Sequence, residues 1–536
     1  IILLKLPCKH YSMSDNFEIE ILDEPKVEFG NEFVCDDPKM GIAVGGFYSK
    51  TNNTHKREIN IGIISTDQLI VDTLDWIKKF ENKITASETL IRSTLSEIKD
   101  GEIENEEFDE LGDLSSELEA QFNKLEEQKV INKKYNPDFI GFKSDNTINC
   151  IFQNNDGNNR SINKREFHKI LQDGVLKPLQ KLNHVVDLFF QQYVNLIDNK
   201  TSDIDVCFIV IPAIVFSELA SIKVNKVHIN MRRNLKARLI SVQNTIPTQI
   251  IIEPTIKGTR RSLQDFSMTA WNFCVASYYK AGCIPWALQV KDTDSCFIGI
   301  SFNKIISEQN NELRSSVAQA FNREGHGLVF TWKNFMWDGE ANKTKSPHLE
   351  YGYAKDLINY VLSEYKTINK HSPSRVVIHK TTDFWDRKDS LIYNELDGFR
   401  DGIIENLGKE VKIDFVSIKS SSIKVLRNFG IYPVPRGTCM KINDNECILY
   451  TTGYIPYFEL YPGMHVPHPL HIKTFDSDSH IRKICEEILS LTKMNFNNCS
   501  YFEGLPITVL FSKKVGEILQ YLPENIKPQN KYFFYM

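Results

Sequence analysis

The chain has 536 residues, a mass of 61.9 kDa and a formal net charge of −5. Apolar residues make up 41% and charged residues 25%, ordinary values that exclude a disordered or fibrous chain. The charge balance also excludes a wholly basic nucleic-acid coat, though not a local basic groove. At about 150 residues per domain, the length suits two large domains or three to four ordinary ones.

The eleven cysteines include no C-x-x-C pair, and several lie in apolar runs such as Cys207 in VCFIVIP and Cys296 in SCFIGI. They read as reduced, buried thiols; a zinc site needs clustered ligands that the spacing does not offer. No apolar run reaches the ~18 residues of a membrane helix. No cationic segment precedes the short apolar start, so the expected location is the cytoplasm, with no membrane association. Residues 1–23 are expected to be an extension, with Met13 as the natural start.

In chain order, EINIGIIS (58–65) predicts a strand and the following DQLIVDTLDWIKKFENKI an amphipathic helix. Residues 81–130 turn acidic and poor in aromatics, as a solvated helical insertion would. Residues 165–198 predict one long helix kinked at Pro178, and VCFIVIP (206–212) a buried parallel strand. A helix at 232–240, the strand TQIIIE (248–253) and a helix from about 262 to 281 complete an α/β first half, with a boundary near 288–294. In the second half, CFIGISFN (296–303) predicts a strand with GHGLVFTW (325–332) as its antiparallel neighbour. Helices at 350–368, 388–406 and 478–494 and strands at 376–382, 412–419, 446–453 and 469–475 follow.

Residues 247–286 carry the most chemistry. Gln249 stands at a strand start. Asn272, Ala276 and Lys280 are spaced to share one helix face, as are Arg232 and Lys236 upstream. Converging cations and amides of this kind would hold a phosphate through charge-assisted hydrogen bonds; the same residues also suit surface cations and a helix C-terminus. The histidines of MHVPHPLH (His465, His468, His471) are broken up by prolines and make a poor metal set, and Asp383, Asp386, Asp389 and Glu395 suit a solvated helix start.

The run YYKAGCIPW (278–286) resembles the Y-x-K-x-G-G-x-P-W signature at the MID–PIWI junction of prokaryotic Argonautes. IPTQ resembles the segment bearing the glutamine of their guide-end pocket. EPKVEFG and DDPKMGIAVGG (24–46) and the stretch 494–519 resemble the two ends of short members that lack the N and PAZ domains. The resemblance implies an α/β fold in which a Rossmann-like MID domain (24–290, including the acidic insertion) precedes an RNase H-like PIWI domain (291–536). It implies that Lys236, Gln249 and Lys280 bind a guide 5′-phosphate, with Arg232 where many relatives have tyrosine and Asn272 as a weaker member. It further implies that the terminal carboxylate, here of Met536, and Gln249 hold a structural Mg²⁺ at that end.

In active relatives, aspartates end two neighbouring PIWI strands. Here Ser301 and Thr381 stand in their places, and hydroxyls cannot supply the charge that a two-cation site needs. The resemblance therefore implies no catalytic residues of its own. It implies instead a guide RNA, a single-stranded DNA target, target-induced oligomerisation and a co-encoded APAZ effector, foremost a TIR-APAZ NADase, with a sirtuin-like or nuclease effector as the alternative. The rival expectations are a guided endonuclease using displaced carboxylates such as Asp383, and a stand-alone α/β binding module.

Overall fold

Four parallel strands, in the order Ile151–Ser161, Glu58–Ser65, Val206–Ile211 and Thr248–Ile252, form the sheet of the first half. The central strand Val206–Ile211 is buried at every position, as a parallel strand covered on both faces must be. The edge strand Ile151–Ser161 reads IFQNNDGNNRS and is largely polar. Alternation along the strands separates two cores. Val206, Phe208 and Val210 face the helices Asp67–Lys78 and Phe266–Lys280; Cys207, Ile209 and Ile211 face Pro178–Asp198 and Met231–Ile240. This computed structural model describes residues 18–87, 133–224, 227–260, 264–289, 294–304, 312–320, 327–337, 346–426, 432–463, 465–522, 526 and 529–536. The acidic segment expected at 81–130, beyond its first seven residues, and Met13 lie outside the described residues.

The second half is built on a nine-stranded sheet. Its centre is parallel: Ser295–Lys304, Arg375–Lys380 and Lys412–Ser420 run side by side. The helix Ile507–Leu519 lies against this centre so closely that a Cβ at Gly299 would meet the Thr508 carbonyl oxygen at 2.0 Å. His379 Nδ1 is 2.8 Å from Thr508 Oγ1 on the same helix. The two halves share a core, since the cluster that contains Val206, Phe208 and Val210 also contains Phe496, Phe511 and Tyr532.

Several expectations need correcting. Residues 18–21, expected within an extension, form the strand Glu18–Ile21, which pairs with Thr438–Asn443 at the edge of the nine-stranded sheet. The helix expected over 165–198 is two helices, Lys164–Gln172 and Pro178–Asp198. Pro178 starts the second because its fixed φ and missing N–H suit a first turn. The strand Gly327–Met336 is not the neighbour of Ser295–Lys304, because Glu312–Ala320 lies between them and pairs antiparallel with both. The helix expected over 388–406 begins only at Glu395.

Candidate functional site

The amino end of the strand Thr248–Ile252 receives two lysines from two helices. Lys236 comes from the middle of Met231–Ile240, a helix capped by the Asn230 side chain, which accepts from the Arg233 amide. Lys280 is the last residue of Phe266–Lys280. Gly282 follows at φ 88°, a left-handed conformation that suits glycine and turns the chain towards Trp286. The Trp286 indole donates to the Lys493 carbonyl at 2.9 Å, which fixes this turn against the second half.

Both ammonium groups are buried, at 5% and 1% exposure, and both meet neutral acceptors. Lys236 Nζ donates to Thr248 O at 2.7 Å and to Thr248 Oγ1 at 2.9 Å. Lys280 Nζ donates to Gln249 Oε1. Burial, with the Arg232 charge adding to it, pushes Lys236 down to about 7. Burial, then Lys236 and Arg232, pushes Lys280 well below its ordinary value. The charged forms of Lys236, Lys280 and Arg232 thus disfavour one another, and no carboxylate of the described residues forms an ion pair with either lysine. Each lysine has lost the hydration of its ammonium form without gaining a carboxylate partner, and the pair favours a compact anion.

Asn272 is not part of this group. Its amide donates to Gln264 at 2.9 Å and accepts from the Cys499 amide at 2.8 Å, a structural bridge to the second half. The Met536 side chain packs, partly buried, on the core that includes Tyr279, the residue before Lys280. Of the oxygen donors expected to hold Mg²⁺, the Met536 carboxylate and Gln249, Gln249 Oε1 accepts a hydrogen bond from Lys280. Thr248, which directly precedes Gln249, escapes a sequence reading because its main contact is through its backbone carbonyl. Two further contacts fix the Lys236 helix against the second half: Arg233 pairs with Glu517 at 2.8 Å, and the Asn230 amide donates to Tyr521 Oη at 3.0 Å.

In the second half, Ile300 and Lys380 are the last partners in the parallel register, so Ser301 and Thr381 follow where that pairing ends, Ser301 still inside the strand Ser295–Lys304 and Thr381 just past Arg375–Lys380. Ser301 is buried and Thr381 exposed. Between these ends and the helix Glu395–Leu407 lies a buried ion pair, Lys380 with Glu395, both at 0% exposure. Glu395 also accepts from the Leu349 amide at 2.9 Å and meets His348 Nδ1 at 2.9 Å. Burial raises Glu395, but Lys380 and His348 together outweigh it and hold the carboxyl below its ordinary range. Glu395 therefore does not belong to a solvated helix start, and Asp386 and Asp389 do not either: they accept from backbone amides within an exposed turn ahead of that helix. Asp383 pairs with Lys419 at 2.7 Å. Among the described residues, His465, His468 and His471 do not converge as a ligand group. Glu324 and Glu340, the carboxylates that could survive as ligands without rescuing a site that lacks its aspartates, lie outside the described residues.

The protein, a parallel four-stranded sheet joined through a shared core to a nine-stranded sheet with a parallel centre, is similar in fold to a structure of Clostridium butyricum Argonaute bound to a guide DNA and a 19-mer target DNA. The two match with a TM-score of 0.55 and 17% identity over 95% of this chain and 54% of that one. The fold is that of Argonaute proteins. A crystal structure of Aa-Ago with externally bound siRNA shares it, with a TM-score of 0.52 and 15% identity over 96% of this chain and 56% of that one. In sequence, the chain is 21% identical over 298 residues to the protein argonaute of Aquifex aeolicus (strain VF5), which covers 55% of this chain and 37% of the relative. It therefore spans about half the length of the Argonaute structures it matches, and little more than a third of that relative is aligned. No protein-family model matches the sequence. Among the described residues, no helix is long and apolar enough to cross a membrane.

Proposed function

We propose that this chain recognises nucleic acid through a guide strand whose 5′-phosphate is held by Lys236, Gln249, Lys280 and Arg232. The observation that carries this reading is the pair of buried lysines with neutral partners at one strand end. The solved structures with this fold support it, one being bound to a guide DNA and a target DNA. Base pairing would supply sequence specificity while the protein holds the backbone. In this reading the guide is RNA and the target single-stranded DNA.

The second half then acts as a platform rather than a cutting centre. Ser301 and Thr381 bring no negative charge, Glu395 is neutralised by Lys380, and Asp383 is engaged by Lys419. The output falls to a separate APAZ-bearing effector, foremost a TIR-type NADase, which could assemble into an oligomer on target binding as part of prokaryotic immunity. Coexpression with such a partner should give a heterodimer on gel filtration; separation at micromolar concentration would remove this part of the reading.

The test of the guide pocket is a titration with 5′-phosphorylated and 5′-hydroxyl guides against wild type and Lys280→Ala. A charge-assisted bond contributes ~1.5–3 kcal/mol, so the phosphorylated guide should lose roughly one to two decades of affinity. The hydroxyl guide should lose far less. Equal losses for both guides would show that Lys280 does not address the phosphate.

A further inference from the structure

Three cysteines far apart in sequence meet behind the outer strands of the nine-stranded sheet. Cys439 and Cys447 lie diagonally across the antiparallel pair Thr438–Asn443 and Glu446–Leu449, whose register sets Lys441 opposite Cys447 and Cys439 opposite Leu449. Both therefore face the same side, and Cys485 reaches them from the helix Ile481–Leu491. Each sulfur lies within 4.8 Å of the other two, and Cys447 Sγ is 2.9 Å from Cys485 Sγ. The thiols are buried, at 4%, 1% and 0% exposure, among Leu449, Ile472, Ile484 and Ile488. The expectation that no cysteines cluster is thus overturned: strand register and helix docking bring together what sequence spacing keeps apart.

We propose that Cys439, Cys447 and Cys485 form a buried three-sulfur site for a thiophilic closed-shell cation, Zn²⁺ or Cu⁺, that fastens the helix Ile481–Leu491 to the sheet. Thiolates select such cations over hard ones. With metal–sulfur bonds of about 2.3 Å, a trigonal site sets its sulfurs about 4 Å apart, so the cluster needs to open by about an ångström between Cys447 and Cys485. Among the described residues, no further histidine, cysteine or carboxylate joins the three, which favours three-coordination. Binding would displace the thiol protons to solvent, and three thiolates would leave a net charge of −1 with Zn²⁺ and −2 with Cu⁺. Site formation would tie together the second and third strands from the edge formed by Glu18–Ile21, which pairs with Cys439 through Glu20.

The test uses the full chain, reduced and metal-free, kept without oxygen. It is titrated with Zn²⁺ against a chromophoric chelator and, separately, with Cu⁺ against a cuprous chelator. The expected result for one of the cations is one tight equivalent, a near-ultraviolet sulfur-to-metal absorption and a higher melting temperature. Cys485→Ala should abolish the tight equivalent and the thermal shift. X-ray absorption on the loaded wild type needs no variant to fold: three sulfur scatterers support the site, and a shell of nitrogen or oxygen overturns it. Failure to bind either cation tightly, or a Cys447–Cys485 disulfide in the oxygen-free protein, also overturns it. None of these readings depends on guide binding.

Discussion

Lys280 and Lys380 are both buried, and each stands at the end of an element that leads into a candidate site. Their partners differ. Lys280 donates to the neutral amide oxygen of Gln249, whereas Lys380 pairs with the buried carboxylate of Glu395. A buried cation beside neutral dipoles still favours an anion from outside; one beside its own carboxylate does not. Burial alone therefore does not mark a binding lysine. The charge of its partner does.

The most damaging change breaks the second site. Glu395→Gln leaves Lys380 buried without a counter-charge and should cost ~3–5 kcal/mol of stability, read as a lower denaturant midpoint. Adding Lys380→Met should recover much of that loss. A double variant no more stable than the single one would mean that the two residues do not act as a pair. The same centre should yield no guide-directed cleavage of complementary DNA or RNA with Mg²⁺ or Mn²⁺. Cleavage abolished by Asp383→Ala would reverse the assignment of the two sites.

At the first site, the decade-scale loss in Lys280→Ala should be matched by a pH dependence. Lys236 is held down at about 7 in the folded protein, whereas the unfolded chain keeps that proton to a much higher pH. The unfolded state therefore binds more protons above pH 7, and stability of the free protein should rise with pH through that range. A bound phosphate favours the charged lysine, so affinity for a phosphorylated guide should fall as pH rises above 7, by up to tenfold per unit for one proton taken up. Lys236→Arg, which stays charged, should flatten this slope. An unchanged slope would exclude Lys236 as its source.

A milder change sharpens the geometry of the first site. Gly282 sits at φ 88° with nothing within 4 Å of where a methyl group would project, so Gly282→Ala should cost only the left-handed backbone penalty, ~1–2 kcal/mol. Guide affinity measured well below the melting temperature should change little. A loss comparable to that of Lys280→Ala would mean that this turn sets the pocket itself.

The α/β class, the central strands 58–65, 206–212 and 248–253, and the three residues Lys236, Gln249 and Lys280 that the structure brings together were all legible in the amino-acid order. Hydrophobic runs and helical spacing are local signals, and a motif keeps its residues near one another along the chain. Folding in three dimensions was needed to reveal that Asn272 bridges to Cys499, that Glu395 is buried against Lys380, and that Glu18–Ile21 closes the edge of a sheet by pairing with Thr438–Asn443. The same holds for the cysteine cluster, whose members come from two strands and a helix. These are long-range pairings set by strand register and helix docking, where a carboxylate's charge, or a thiol's, depends on which distant side chain shares its buried space.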